Sequence, residues 1–386
     1  MNKQFKTFIP TRLEFGCGAI KKLATLPALG KKAMIVASNG GSVHRHGYLK
    51  KVTDALEAKN IEWVLFDKIL PNPIKDHVME AAAICRSEAC DFVIGIGGGS
   101  PIDSSKSIAV MACNEGDYWD YINGGTGKGK PVGDVLPIIA IPTTAGTGTE
   151  IDPWTVITHD QQKIGFGIDK TFPTYALVDP ELMVSVPEKL TAYQGFDAFF
   201  HSSEGYIANC SDPISDIYAL RSIGLLAKSL PTAVKCGSDI EARYDVALAS
   251  TLAGMVESTS SCISQHSLEH AISGFYPEVI HGEGLVAISY AFFKRFLNDC
   301  PERFCTMAEV MTGKKTDDPN DFLEALLAMQ RACGVDDIRL SDKGVKPEDL
   351  PDMIQNARYA MGGLFALDPH PLTDEECLAI YTESYK

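Results

Sequence analysis

The sequence predicts an α/β domain built on a parallel sheet, followed by an all-α domain. Three observations lead there. At 386 residues the chain exceeds what one ordinary hydrophobic core organises. Its first half alternates short apolar runs with amphipathic ones, the βαβ pattern. After Pro187 the apolar residues recur only at helical spacing.

Taken in order, KKAMIVAS (31–38) reads as a strand, YLKKVTDALEAKN (48–60) as a helix and IEWVLFD (61–67) as a strand. IKDHVMEAAAICRSE (74–88) is a helix, DFVIGIG (91–97) a strand and PIDSSKSIAVMAC (101–113) a helix. PIIAIPTT (137–144) adds a strand, TVITHDQQKIGFGI (155–168) has the pattern of a hairpin, and YALVDPEL (175–182) brings the chain back. Helical segments then start near Thr191, Asp212, Ser238, Ser260, Gly284, Pro301, Asp318, Lys346 and Thr373, several on residue types that open helices. The expected division is a domain of residues 1–187 and a domain of residues 188–386.

A formal net charge of −15 and a mean hydropathy near zero describe a soluble globular chain that repels polyphosphate. Nucleic acid and anionic membranes are therefore not expected as partners. The opening MNKQFKTFIPTRLEF lacks the apolar run of a signal peptide, and the expected location is cytoplasmic. Eleven cysteines without a C-x-x-C pair read as reduced thiols.

In QGFDAFFHSSEGY (194–206), Asp197 and His201 stand four apart, on one helix face, with Cβ atoms about 5–6 Å apart. In CISQHSLEHAISGFYPEVIHGEG (262–284), His266 and His270 repeat that spacing. Pro277 ends the helix, and His281 is expected in a turn beside Gly282. Four of the nine histidines fall between 201 and 281, and a site of three histidines and one carboxylate can be built from them. Glu204, one turn past His201, reads as a supporting residue. Phe196, Phe199, Phe200 and Phe275 fit either a helix core or an apolar pocket.

The sheet domain carries glycine turns after its strands. Gly97, Gly98, Gly99 and Ser100 lead from a strand into a helix, where backbone amides and the helix N-terminus suit a pyrophosphate. PTTAGTGTE (142–150) is a second such turn. After the first strand, Ser38, Asn39, Gly40, Gly41 and Ser42 offer neutral donors where many nucleotide folds place an acid against a 2′-phosphate, with His44 and Arg45 close behind. That favours NADP(H) over NAD(H).

Along nearly its whole length the sequence resembles the iron-dependent (group III) alcohol dehydrogenases. The likeness rests on FIPTRLEFGCGAIKKL, PNP at 71–73, GGGSPIDSSK, IPTTAGTGTE, VDPEL, GFDAFFHSSE, HSLEHAISGFYPEVIHGEG and LTDEECLAIYTESY. The resemblance implies a Rossmann-like N-terminal domain, a helical C-terminal domain, catalysis in the cleft between them, and a homodimer or larger homo-oligomer. It implies Asp197, His201, His266 and His281 as ligands of one divalent ion, with His270 a non-ligand histidine beside substrate and nicotinamide. Gly97, Gly98, Gly99, Ser100, Asp103, Thr143, Thr144 and Lys163 match positions around the dinucleotide, and Asn72 one near the adenosine. The turn at 40–42 is closer to NADPH-dependent aldehyde reductases than to NAD-linked diol oxidoreductases. Asp152-Pro153-Trp154 and HPLT (370–373) depart from the family pattern.

The implied activity is reversible hydride transfer between NAD(P)(H) and a primary alcohol or aldehyde, with the metal a Lewis acid on the substrate oxygen. Fe²⁺ is the implied metal, and Zn²⁺ or another divalent ion suits the same imidazoles. Two other readings remain at this point: a polyol dehydrogenase or dehydroquinate synthase-like relative on the same fold, and a non-catalytic metal- and nucleotide-binding regulator.

Overall fold

Strands β1 (Arg12–Phe15) and β2 (Lys32–Ser38) begin a computed structural model that describes residues 4–385. Helices α1 (Ser42–Arg45) and α2 (Tyr48–Glu57) lead to β3 (Glu62–Ile69), and α3 (Lys75–Ser87) to β4 (Phe92–Gly97). Helix α4 (Gly99–Cys113) follows, then β5 (Ile138–Pro142), the hairpin β6 (Thr155–His159) and β7 (Gln162–Phe166), and β8 (Tyr175–Val178).

Six of these strands form one sheet in the order β1-β8-β5-β4-β2-β3, every pair parallel. Strand β4, FVIGIG, is buried at all its residues, as a central strand covered by helices on both faces must be. The connections run outward from β2 to β3, then return to β4 on the other side of β2. The switch point therefore lies between β2 and β4, where sheets of this kind bind ligands at their carboxyl ends. Sequence patterning missed β1. It is four residues long and exists through pairing with β8, Arg12 opposite Tyr175, which no local signal encodes.

The α/β unit comprises residues 9–159 and 164–185; among the described residues the second unit comprises 4–8, 160–163 and 186–385. The second is all helix beyond Pro187: α5 (Glu188–Ile207), α6 (Pro213–Lys235), α7 (Ile240–Thr259), α8 (Ser264–Phe275), α9 (His281–Lys294), α10 (Pro301–Thr312), α11 (Asn320–Ala332), α12 (Leu350–Met361) and α13 (Asp374–Glu383). Caps explain several starts. Asp212 accepts from the Ile214 and Ser215 amides, and Thr373 and Glu376 form a reciprocal box. Phe196, Phe199 and Phe200 of α5 are fully buried and pack with Phe293 and Phe322 at ring separations of 5.3–6.3 Å. They form core, not a pocket wall, and they fix α5 so that its opposite side can carry polar groups. No single helix among the described residues is long and apolar enough to cross a membrane.

Candidate active site

Within the helical unit, α5 brings Asp197 and His201, α8 brings His266 and His270, and α9 brings His281. The structure corrects one sequence expectation: His281 is not in a turn but is the first residue of α9. Gly282 makes this possible, because a Cβ there would lie 2.1 Å from the Tyr193 carbonyl of α5. The start of α9 can thus press against the helix that carries Asp197.

Asp197 Oδ1 lies 3.4 Å from His281 Nε2, 3.6 Å from His266 Nε2 and 3.7 Å from His201 Nε2. A tetrahedral ion with bonds of about 2.1 Å would hold its ligand atoms about 3.4 Å apart. Neither Asp197 Oδ1 nor His266 Nε2, both buried, makes a hydrogen bond within the protein. Leaving such groups without a partner is costly, and a divalent cation would satisfy both at once. Asp197, His201 and His266, whose ligand atoms all lie within 4.8 Å of one another, fit the metal, and His281 Nε2 reaches the same carboxylate oxygen.

Two of the three rings, His266 and His281, are oriented from behind. His266 Nδ1 donates to Glu204 Oε1 at 2.7 Å, which turns Nε2 inward. His281 Nδ1 donates to Glu269 Oε2. Glu269 did not stand out in the sequence, although His266, Glu269, His270 and Ser273 share one helix face by their spacing. Burial alone would raise the Asp197 pKa, but the neighbouring imidazoles of His201, His281 and His266 hold it well below the usual carboxylate range. Burial would lower that of His266, yet Glu204 and Asp197 raise it well above the ordinary imidazole value.

His270 lies beside this group, its ring 5.3 Å from His281 and 6.3 Å from His266. Its Nδ1 is 3.2 Å from the Lys163 carbonyl, so the proton sits on Nδ1 and Nε2 keeps its lone pair. Burial, reinforced by Lys163, His281 and His266, lowers its pKa well below the ordinary value and keeps the ring neutral. Lys163 Nζ itself lies among Ser273 and His281, at 3.3 Å from each, and Glu269, at 3.5 Å.

In the α/β unit, β4 delivers Gly97, Gly98, Gly99 and Ser100 to the carboxyl edge of the sheet. The Thr143 amide donates to the Gly97 carbonyl at 2.7 Å, which ties the neighbouring turn with Thr143 and Thr144 to this one. Gly99 must be glycine for the two turns to meet, since a Cβ there would lie 2.6 Å from the Thr147 side chain. Ser100 Oγ donates to the Pro71 carbonyl, which brings the turn bearing Asn72 to the start of α4. Ser38 ends β2, the strand beside β4, Asn39, Gly40, Gly41 and Ser42 follow it, and Arg45 Nη1 donates to the Gly40 carbonyl at 2.6 Å. Asp103 turns inward instead. Its two oxygens accept from Thr149 Oγ1 at 2.7 Å and the Val156 amide at 2.9 Å, so it braces the 149–156 segment against α4.

A sheet with paired glycine turns at its carboxyl edge and a buried carboxylate–imidazole set define a metal-dependent, dinucleotide-linked oxidoreductase. Comparison with known proteins makes this specific. The family profile "Iron-containing alcohol dehydrogenase" matches residues 10–180, and "Fe-containing alcohol dehydrogenase family, C-terminal" matches residues 191–385. The 1,3-propanediol dehydrogenase of Klebsiella pneumoniae is 32% identical over 392 residues, covering 99% of each chain. Alcohol dehydrogenase 4 of Saccharomyces cerevisiae is 32% identical over 98% of each. The crystal structure of an archaeal halo-thermophilic alcohol dehydrogenase from a Red Sea brine pool superposes with a TM-score of 0.95 at 32% identity, covering 100% of both chains.

The chain belongs to the iron-containing alcohol dehydrogenase family. It is a metal-dependent enzyme of NAD(P)-linked alcohol oxidoreduction, with iron as the family's metal and small-molecule alcohols and aldehydes, of no particular chain length, as its substrate class. These likenesses do not favour the polyol-dehydrogenase, synthase-like or regulator readings.

Proposed function

We propose that the enzyme is an NADPH-preferring aldehyde reductase of the butanol dehydrogenase type, its ion held by Asp197, His201, His266 and His281. The observation that carries the ligand set is the single carboxylate oxygen facing three imidazole nitrogens at 3.4–3.7 Å. A divalent ion in that position supplies a Lewis acid for the substrate oxygen. Glu204 holds the proton of His266 at Nδ1. His270 is the candidate proton relay, because its Nε2 is free to accept while Nδ1 stays bonded to the Lys163 carbonyl. The Gly97–Ser100 turn, with Thr143 and Thr144, cradles the pyrophosphate; Asn72 stands near the adenosine, Asp103 braces the cradle through Thr149, and Lys163 lies by the nicotinamide end. We assign residues 1–187 to the dinucleotide domain and 188–386 to the metal domain. A cytoplasmic homodimer or larger homo-oligomer completes the proposal, which mass measurement in solution tests.

Metal-free protein reloaded anaerobically with Fe²⁺, Zn²⁺ or Mn²⁺ is expected to reduce butyraldehyde with NADPH at least about tenfold more efficiently than with NADH, a difference of about 1.4 kcal/mol. Equal efficiency would overturn the coenzyme preference; no turnover with any metal would overturn the aldehyde assignment.

The coenzyme reading has a sharper test at Gly40. Nothing lies within 4 Å of a Cβ built there, and its φ is not positive, so a side chain fits without strain. Gly40→Asp is expected to lower kcat/KM for NADPH by about tenfold to a hundredfold through repulsion of the 2′-phosphate, leaving NADH within about twofold. Equal losses for both coenzymes would place this turn away from the 2′-phosphate.

A further inference from the structure

Glu269 is a carboxylate with no exposed surface, one turn from His266, in a space shaped for it. A Cβ at Gly284 of α9 would come within 3.0 Å of Glu269 Cγ and Oε1, so the missing side chain there admits the carboxylate. Ser273 Oγ donates to Oε1, and Oε2 meets His281 Nδ1 and, at 3.5 Å, Lys163 Nζ. His281 Nδ1 therefore faces two competing groups, because Lys163 Nζ is also 3.3 Å away.

The two neighbours ask opposite things of the ring. An ammonium group only donates, so pairing with Lys163 would require a lone pair on Nδ1 and move the proton to Nε2. Protonated Nε2 cannot ligate a metal. A carboxylate only accepts, so pairing with Glu269 keeps the proton on Nδ1 and the lone pair on Nε2, toward Asp197.

We propose that Glu269 is a positioning residue that selects the tautomer of His281, holding Lys163 off Nδ1 and keeping Nε2 ready for the ion. The inference rests on the reading of His281 as a metal ligand. It gives the metal a control that lies outside the four ligand side chains, and it assigns Lys163 a restrained partner rather than a free charge.

The test titrates the metal-free protein with Zn²⁺ against a chromophoric chelator, alongside ¹⁵N imidazole spectra of the metal-free protein. Glu269→Gln, which keeps the shape and removes the obligate acceptor, is expected to weaken Zn²⁺ binding by about tenfold to a hundredfold. It should also shift the His281 proton from Nδ1 to Nε2, a change that loss of packing would not produce. Gly284→Ala retains every polar group but presses on Glu269, and is expected to weaken binding in the same direction by about threefold to tenfold. His281→Ala should lose most of the affinity. If Glu269→Gln binds within about threefold of the wild type with its tautomer unchanged while His281→Ala loses binding, the role of Glu269 is refuted and the ligand set survives. If His281→Ala binds normally, the ligand set itself falls.

Discussion

Asp197→Ala is expected to leave the protein without stoichiometric metal and to lower aldehyde turnover by about a thousandfold or more. Asp197 Oδ1 lies within 3.7 Å of Nε2 on all three rings, so its loss removes both a ligand and the negative charge that gathers the imidazoles. A Lewis acid is worth several kcal/mol of transition-state stabilisation, and about 4 kcal/mol is a factor of a thousand in rate. Metal analysis and butyraldehyde reduction on the same preparation check the result; full metal content would remove Asp197 from the set. Metal affinity should also rise with pH in the wild type. The metal-free protein favours the proton on His266, and an incoming ion must displace it.

Lys106→Met is expected to be the most destabilising single change in the α/β unit, by about 3–5 kcal/mol. Lys106 has no exposed surface, and its ammonium group contacts Thr149 Oγ1, the Asp152 carbonyl and carboxylate, and the Trp154 carbonyl. Removing it strands Asp152, which is also buried. Burial pushes the Asp152 carboxyl up to about 7 even against the field of Lys106. A folded-state pKa above the unfolded one means the fold prefers the neutral acid, so the Asp152 contribution is most favourable below about pH 4 and declines as pH rises toward 7. Without Lys106 that decline deepens. The variant should lie closer to wild type at pH 5.5 than at pH 8, and Lys106→Met/Asp152→Asn should recover much of the loss at pH 8. Chemical denaturation at the two pH values decides it; a deficit independent of pH would mean that packing, not the stranded charge, dominates.

What was legible in the sequence follows from where the signal is local. The strands at 32–38 and 92–97 are short continuous apolar runs bounded by turns, and the helices after Pro187 carry their period and often their caps, as Asp212 and Thr373 do. His201 and His266 could be singled out because four-residue spacing on a helix is a local property. Glu269 and Lys106 could not, since a charged residue on a helix looks like a solvated face until its partners, Lys163 and His281 or Asp152 and Trp154, arrive from distant segments. The placement of His281 failed for a related reason. Gly282 after His281 reads as a turn, whereas its purpose is to let α9 touch the Tyr193 carbonyl.

The pairing of Arg12 with Tyr175 has a consequence for biogenesis. At about 5–20 residues per second, a ribosome makes the second partner roughly ten to thirty seconds after the first. During that interval the nascent β1 has no template, and β5, made only late in it, presents an open flank that β8 will close. Chaperone dependence of this enzyme should therefore concentrate in the window before residue 178 leaves the exit tunnel.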